Sequence, residues 1–250
     1  MNYYDNTDEQ LCALENGFDF LYYITPANHV ESWLSFEENG RQKVPEIKYR
    51  PKPSLRELKE QAKRLQREIE GPEILRNIYK AKIDETLAMI SLVESIGQSQ
   101  FKELSIQLFG QPDPQLLSTA KSILEKVDSN VGHEQNVHAP QLKEVFDSKI
   151  DEYAETHPHF TPEVIVREDI DSMLVSRTKL FIGAGFSTSL QRAHALCAHE
   201  VGTHLVTHFN GLRQPVKLFA YGLAGYDELQ EGIAVLSEYL VAGLSKHRMR

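Results

Sequence analysis

The segment "CAHEVGTHLVTHF", residues 197–209, constrains this chain more than any other stretch. It places His199-Glu200 ahead of a second histidine, His204, within a run that is otherwise apolar and helical in pattern. The H-E-x-x-H form of such a string spaces its histidines four apart, on one helical face, and holds zinc. Here the step is five. An ideal helix advances about 100° per residue, so a five-residue step leaves two side chains about 140° apart, too far to share one ion. One extra residue in a turn, a π-bulge, restores the alignment, and such bulges gather at functional sites. Gly202, between the two histidines, would ease that distortion by its missing side chain. The spacing therefore predicts a helix with a local defect.

A catalytic zinc site takes three protein ligands and leaves one position open. With His199 and His204 as two of them, the best third is Glu231 in "DELQEGIAVLSEY", 27 residues beyond His204 and in the first turn of the last helix. Glu200 is then the general base, taking a proton from the attacking water and passing it to the leaving amine. Glu238, seven residues after Glu231 on the same face, is placed either to orient a ligand histidine from behind or to remain a solvated surface charge. His208 is read as helix-end packing, since Glu231 fills the third position better. A second matching string, "HEQNVH" at His133 to His138, sits between Gly132 and Pro140 with no apolar helical face. It is read as a coincidence in a polar loop.

Organisation supports the distinction between the two copies. Residues 16–50 are mixed in pattern. From Ser54 the apolar spacing becomes helical, with Ser54 and Glu57 as a capping box, and Gly71-Pro72 ends that helix. Further helices are expected at about Glu73 to Ile96, over "FKELSIQLFG" and over "DPQLLSTAKSILEKV". Residues 1–130 thus form an N-terminal helical region, and 131–162 a polar connecting segment with one helix. After Pro162, "EVIVRED" and "MLVSRTKLFIG" read as two strands, followed by a turn at "GAGFSTS". The motif helix comes next, capped by Thr188 with Gln191, and the last helix begins at Asp227 with Gln230 three later. Residues 163–250 form the catalytic core.

Composition narrows the class. A net charge of −9 argues against nucleic acid and against anionic membranes as partners. The opening "MNYYDNTDEQ" is too polar for a signal peptide, and no apolar run reaches the length of a membrane span. Cys12 and Cys197 are too few for a disulfide framework or a thiolate zinc site. A soluble cytoplasmic protein is expected.

Over "HEVGTH…NGLRQP…YGLAGYDELQEGIAVLSEYL" the chain resembles the microtubule-associated tyrosine carboxypeptidases and their bacterial relatives. Those relatives are the flavohaemoglobin expression-modulating QEGLA motif proteins. The signature here is Gln230-Glu231-Gly232-Ile233-Ala234. The resemblance is strongest over about residues 163 to 248. It implies that His199, His204 and Glu231 hold zinc, that Glu200 is catalytic, and that the reaction removes a C-terminal residue from a peptide or protein tail. Members of that family continue past the last helix, so their C-terminal part is expected to be missing here. The fold class expected is α+β and mostly helical, a zincin-like metallopeptidase with a small sheet and two active-site helices.

A carboxypeptidase must also hold a free carboxylate. Lys179, Asn210 and Arg213 are candidates, each with a competing reading as a surface residue or loop anchor. Tyr221 and Tyr226 are candidate donors to the oxyanion, or else aromatic packing. The strand "RTKLFIG" would offer an edge to an extended peptide. Lys52, Arg56, Lys59, Lys63 and Arg67 form a basic stripe that reads as the wet face of a helix. Two alternatives stay open: a zinc-binding regulatory protein without catalysis, and an endopeptidase with the same site.

Overall fold

The computed structural model describes residues 3–52, 54–126 and 136–244. The chain divides into two compact units, Met1–Gln111 and Pro112–Arg250. It is mostly helical with small sheets, an α+β protein. Among the described residues no helix is long and apolar enough to cross a membrane.

The first unit is helical: α1 (Tyr3–Gly17), α2 (Phe20–Ile24), α3 (His29–Glu38), α4 (Arg56–Arg67), α5 (Glu73–Glu94) and α6 (Phe101–Phe109). Helix α5 is its axis, with α1, α2, α4 and α6 all packed against it. Its buried Tyr79, Ile83, Thr86, Ile90 and Val93 fall three or four apart, which keeps them on one face. Ala62 and Leu65 do the same for α4. The expected Ser54–Glu57 capping box does not form. The N-cap position is Leu55, without a side-chain cap.

Two further readings of this unit change. Helices α2 and α3 occupy the stretch of mixed pattern, where Phe18, Phe20, Tyr23 and Ile24 join a core with Ile90 and Val93 of α5. The basic stripe is largely a wet face, as expected, with Lys63 beside Glu60 and Lys59 beside Glu94. Lys52 differs: its ammonium donates to the carbonyls of Glu94 and Ile96, satisfying acceptors that the end of α5 leaves open.

The second unit contains α7 (Pro114–Lys126), β1 (Asn136–His138), α8 (Ala139–Thr156), β2 (Glu163–Arg167), β3 (Met173–Ser176), β4 (Lys179–Gly183), β5 (Ser187–Ser189) and α9 (Leu190–His199). A π-helical segment (Glu200–Leu205) continues α9 into α10 (Val206–Leu212), and a 3-10 turn (Lys217–Ala220) leads to α11 (Tyr226–Leu240). The first three residues of "HEQNVH" lie outside the described residues. His138 ends β1, where its N–H donates to Gln141 at the start of α8. "MLVSRTKLFIG" is a hairpin, β3 and β4, reversing at Arg177 with a φ of 56°.

The strand order is β2-β4-β3, with β4 parallel to β2 and antiparallel to β3. The expectation that "RTKLFIG" offers an edge is thus overturned: β4 is the central strand, and both its backbone edges are already paired. "GAGFSTS" is also more than a turn, because β5 pairs with β1. Val164, Leu180 and Ile182 of the sheet meet Leu142, Phe146 and Ile150 of α8, and the core continues into Ala193, Leu196, Val201 and Leu205. Fully burying one such aliphatic side chain is worth ~1.5–3 kcal/mol. The motif helix is therefore anchored along one face by the core, and α11 packs against it.

Candidate metal centre

The helix carrying the histidines begins at Ser189, not Thr188. The Ser189 hydroxyl accepts from the Arg192 N–H at 3.2 Å. Gln191, expected to complete a capping box, instead donates to the Ala242 carbonyl. The helix is regular to His199, and the π segment then runs over Glu200–Leu205. Bonding from i to i+5 winds a wider turn than the α-helix and brings His204 back toward the face of His199. Their rings lie 4.9 Å apart, centroid to centroid, inclined at 68°. Thr203 supports the wide turn: its hydroxyl donates to the Ala198 carbonyl five residues back, at 3.1 Å. Gly202 is not required by crowding, since a Cβ there would meet Tyr153 Oη at an ordinary 3.5 Å.

The second helix brings the carboxylate. Helix α11 starts at Tyr226, after Gly225 in the left-handed region (φ 69°) and without a side-chain cap. Asp227 is therefore inside the first turn and not a cap. Gln230, its expected capping partner, is buried and shares a hydrogen bond with the His204 side chain. Glu231 Oε2 lies 3.6 Å from His199 Nε2, and Glu231 Oε1 lies 3.6 Å from His204 Nε2. The Glu231 side chain is 62% exposed while both imidazoles are largely buried, so the cluster opens to solvent on the α11 side.

Glu200 faces the same space, with Oε1 4.0 Å from His199 Nε2. His199, Glu200 and His204 each offer one ligand atom within 4.8 Å of the others, a group able to hold a metal ion. Glu231 lies closer to the imidazoles than Glu200 does, and it faces both. A gap of 3.6 Å exceeds hydrogen-bonding range and approximates the ~3.4 Å between two ligands ~2.1 Å from a tetrahedral zinc. Two imidazole nitrogens and one carboxylate are also the donor types zinc takes. The residues present fit a divalent metal.

Electrostatics suit the same use. Burial raises the carboxyl pKa of Glu200, against the pull of His199 and with added repulsion from Glu231. Burial lowers the pKa of His204, opposed by Glu231 and reinforced by His199, which favours a neutral, ligating ring. Glu238 is fully buried. Its Oε1 lies 2.8 Å from His199 Nδ1, and the carboxylate pairs with Arg192. The solvated alternative for Glu238 is excluded.

The proposed substrate contacts scatter. Lys179 is exposed and pairs with Glu163 across β2 and β4. Asn210 and Arg213 line a cavity of about 620 Å³ with Tyr153, Phe160 and Phe209, and none of the metal-site residues lines it. Tyr221 ends the 3-10 turn. Tyr226 opens α11, and its phenol is pushed up to about 12 by burial and by the charges of Asp227 and Glu231. His208 is helix-end packing, its Nδ1 2.7 Å from the Ala220 carbonyl. His194 and Cys197 line a groove bordered by α8 and α11, and burial raises the Cys197 thiol to about 12.

Arg192 and Gln230 were not anticipated as site residues. Arg192 carries one sequence signal, its position two helical turns before His199. Gln230 carries none beyond adjacency to Glu231. No curated protein and no solved structure matches the chain. The family model described as microtubule-associated tyrosine carboxypeptidase matches residues 34–250. With its motif helix widened at Glu200–Leu205 and Glu231 set between the two histidines, this chain belongs to that family.

Proposed function

We propose that this protein is a zinc-dependent carboxypeptidase of zincin-like design, hydrolysing the last peptide bond of a peptide or protein tail. His199, His204 and Glu231 hold the metal, and Glu200 is the general base. The observation that carries this reading is the pair of 3.6 Å separations from one carboxylate to two imidazole Nε2 atoms. The family's carboxypeptidase character supports the reaction class.

When bound, zinc supplies Lewis acidity, polarising the scissile carbonyl and acidifying the attacking water. The chain's own residues do the rest. Glu200, made more basic by burial, takes the water proton on a carboxylate oxygen and delivers it to the departing amine. Tyr226 remains a protonated phenol well above neutral pH, which equips it to donate to the oxyanion. Glu200 is left to act as base because Glu231 completes the three-ligand set from the other helix.

The test is release of C-terminal residues from peptides by metal-loaded protein, read by mass spectrometry. Wild type should shorten free-ended peptides and spare C-terminally amidated ones, and Glu200→Gln should shorten neither. Equal cleavage of amidated peptides would establish an endopeptidase instead. Metal-replete wild type that cleaves nothing would leave a zinc-binding protein without catalysis.

A further inference from the structure

We infer that Arg192 is a positioning residue of the metal site, acting on His199 through the buried carboxylate of Glu238. The inference rests on the proposed role of His199 as a metal ligand. It extends that role to a residue two turns away that touches neither the proposed ion nor substrate.

The geometry is a chain of contacts between α9 and α11. Glu238 has no exposed surface. A carboxylate in that position is strongly unfavourable unless charged or polar donors surround it. Two come from one face of α9: the Arg192 guanidinium, bonded through Nη1 to Oε2 and through Nη2 to Oε1 at 3.2 Å, and His199 Nδ1 at 2.8 Å from Oε1. The two-pronged Arg contact defines the plane of the carboxylate, which a single donor would leave free to swivel. A carboxylate so held accepts from Nδ1–H. That selects the His199 tautomer whose Nε2 lone pair points the other way, toward Glu231. One imidazole thus bridges two turns of α11, Glu238 behind it and Glu231 in front.

The competing account is that Arg192 and Glu238 merely fasten α9 to α11. The two accounts differ in what a double-mutant cycle reads. If Arg192 acts through Glu238, its removal should matter only while Glu238 is present. Zinc affinity is measured by chelator competition on the full chain, alongside the visible spectrum of the cobalt(II) form and the thermal midpoint.

Wild type should bind zinc. Glu238→Met should weaken binding by ~10–100-fold, the range for loss of a partner behind a ligand. Arg192→Met should weaken it by about 10-fold, the lower end of that range, and should alter the cobalt spectrum. Arg192→Lys, which restores the charge but not the two-pronged contact, should recover part of the affinity without the wild-type spectrum. Adding Arg192→Met to Glu238→Met should change affinity less than about twofold, and that apolar pair should remain folded. Wild-type affinity and spectrum in Arg192→Met would overturn the inference. So would an equal loss with or without Glu238, or a lower thermal midpoint with an unchanged spectrum. Failure of wild type itself to bind zinc would remove the metal reading and this inference together.

Discussion

Glu231 Oε1 stands 3.6 Å from His204 Nε2, although 27 residues and a change of helix separate them in the chain. The same carboxylate reaches His199 with its other oxygen. Glu231→Ala should therefore weaken zinc binding by more than the ~10–100-fold typical of a residue behind a ligand. Metal content after gel filtration and chelator competition would measure it. Wild-type affinity in this variant would remove Glu231 from the ligand set.

Glu200→Gln should separate binding from chemistry. The amide cannot take a proton, so kcat should fall by about 10²–10⁴, the usual contribution of a positioned general base. Zinc content should stay at the wild-type level. Loss of metal in Glu200→Gln would point to Glu200 as a ligand in place of Glu231.

The contact between α9 and the end of α11 should tolerate no added bulk. A Cβ on Gly243 would lie 2.2 Å from Ala195 Cβ and 3.2 Å from the Glu238 carbonyl. Gly243→Ala should cost ~1–3 kcal/mol by overpacking and should weaken zinc binding as well, because Glu231 and Glu238 both ride on α11. Gly202→Ala is the contrast: its Cβ would meet only ordinary contacts. That variant should keep wild-type stability or gain up to about 1 kcal/mol. Urea titrations of the two variants, with zinc affinities, would check both statements.

His208 should make the metal-free protein sensitive to mild acid. Burial, aided by the charge of Arg177, depresses its folded pKa, while the Ala220 carbonyl partly opposes the shift. Between the unfolded value, about 6.5, and the lower folded value, the unfolded chain binds more protons. Stability then falls as pH drops through that window and levels off below it. His208→Gln should lose less stability than wild type between pH 8 and pH 5. Parallel denaturation profiles for the two proteins would contradict the assignment.

The first unit has its own buried charge cluster. Lys82 of α5 lies 2.8 Å from Glu85 and 3.6 Å from Glu15 of α1, with all three side chains largely buried. Thr86 also donates to Glu15, at 2.6 Å. Lys82→Met would leave two buried carboxylates without their cation, at a cost of ~3–5 kcal/mol. Chemical denaturation should show that loss, and a change below about 1 kcal/mol would mean the glutamates find other partners or water.

Much of the site was legible because its information is local. A five-residue histidine step within an apolar helical run demands a wide turn if one ion is shared, and the π segment sits where that demand falls. The positions of the helix of Glu73 and of the motif helix followed from apolar spacing in the same way. Helix starts were less legible, as at Ser54, Thr188 and Asp227. A side chain capable of capping caps only if the chain enters the helix at that residue, and entry is decided by what the preceding loop packs against.

Other features depend on pairing and burial between distant segments. "RTKLFIG" reads equally well as an edge or a centre, and only its pairing with both β2 and β3 made it the centre. Glu238 reads equally well as a surface charge or a buried acid. The packing of α11 on α9 buried it, and only then did Arg192 become its partner. Sequence alone named the residues that could share a metal and the widened turn that sharing would demand, since side-chain chemistry and helical pitch are local properties. Tertiary structure decided which strand lies inside, which carboxylate is dry and which cation answers it, since those depend on distances the chain sets only when folded.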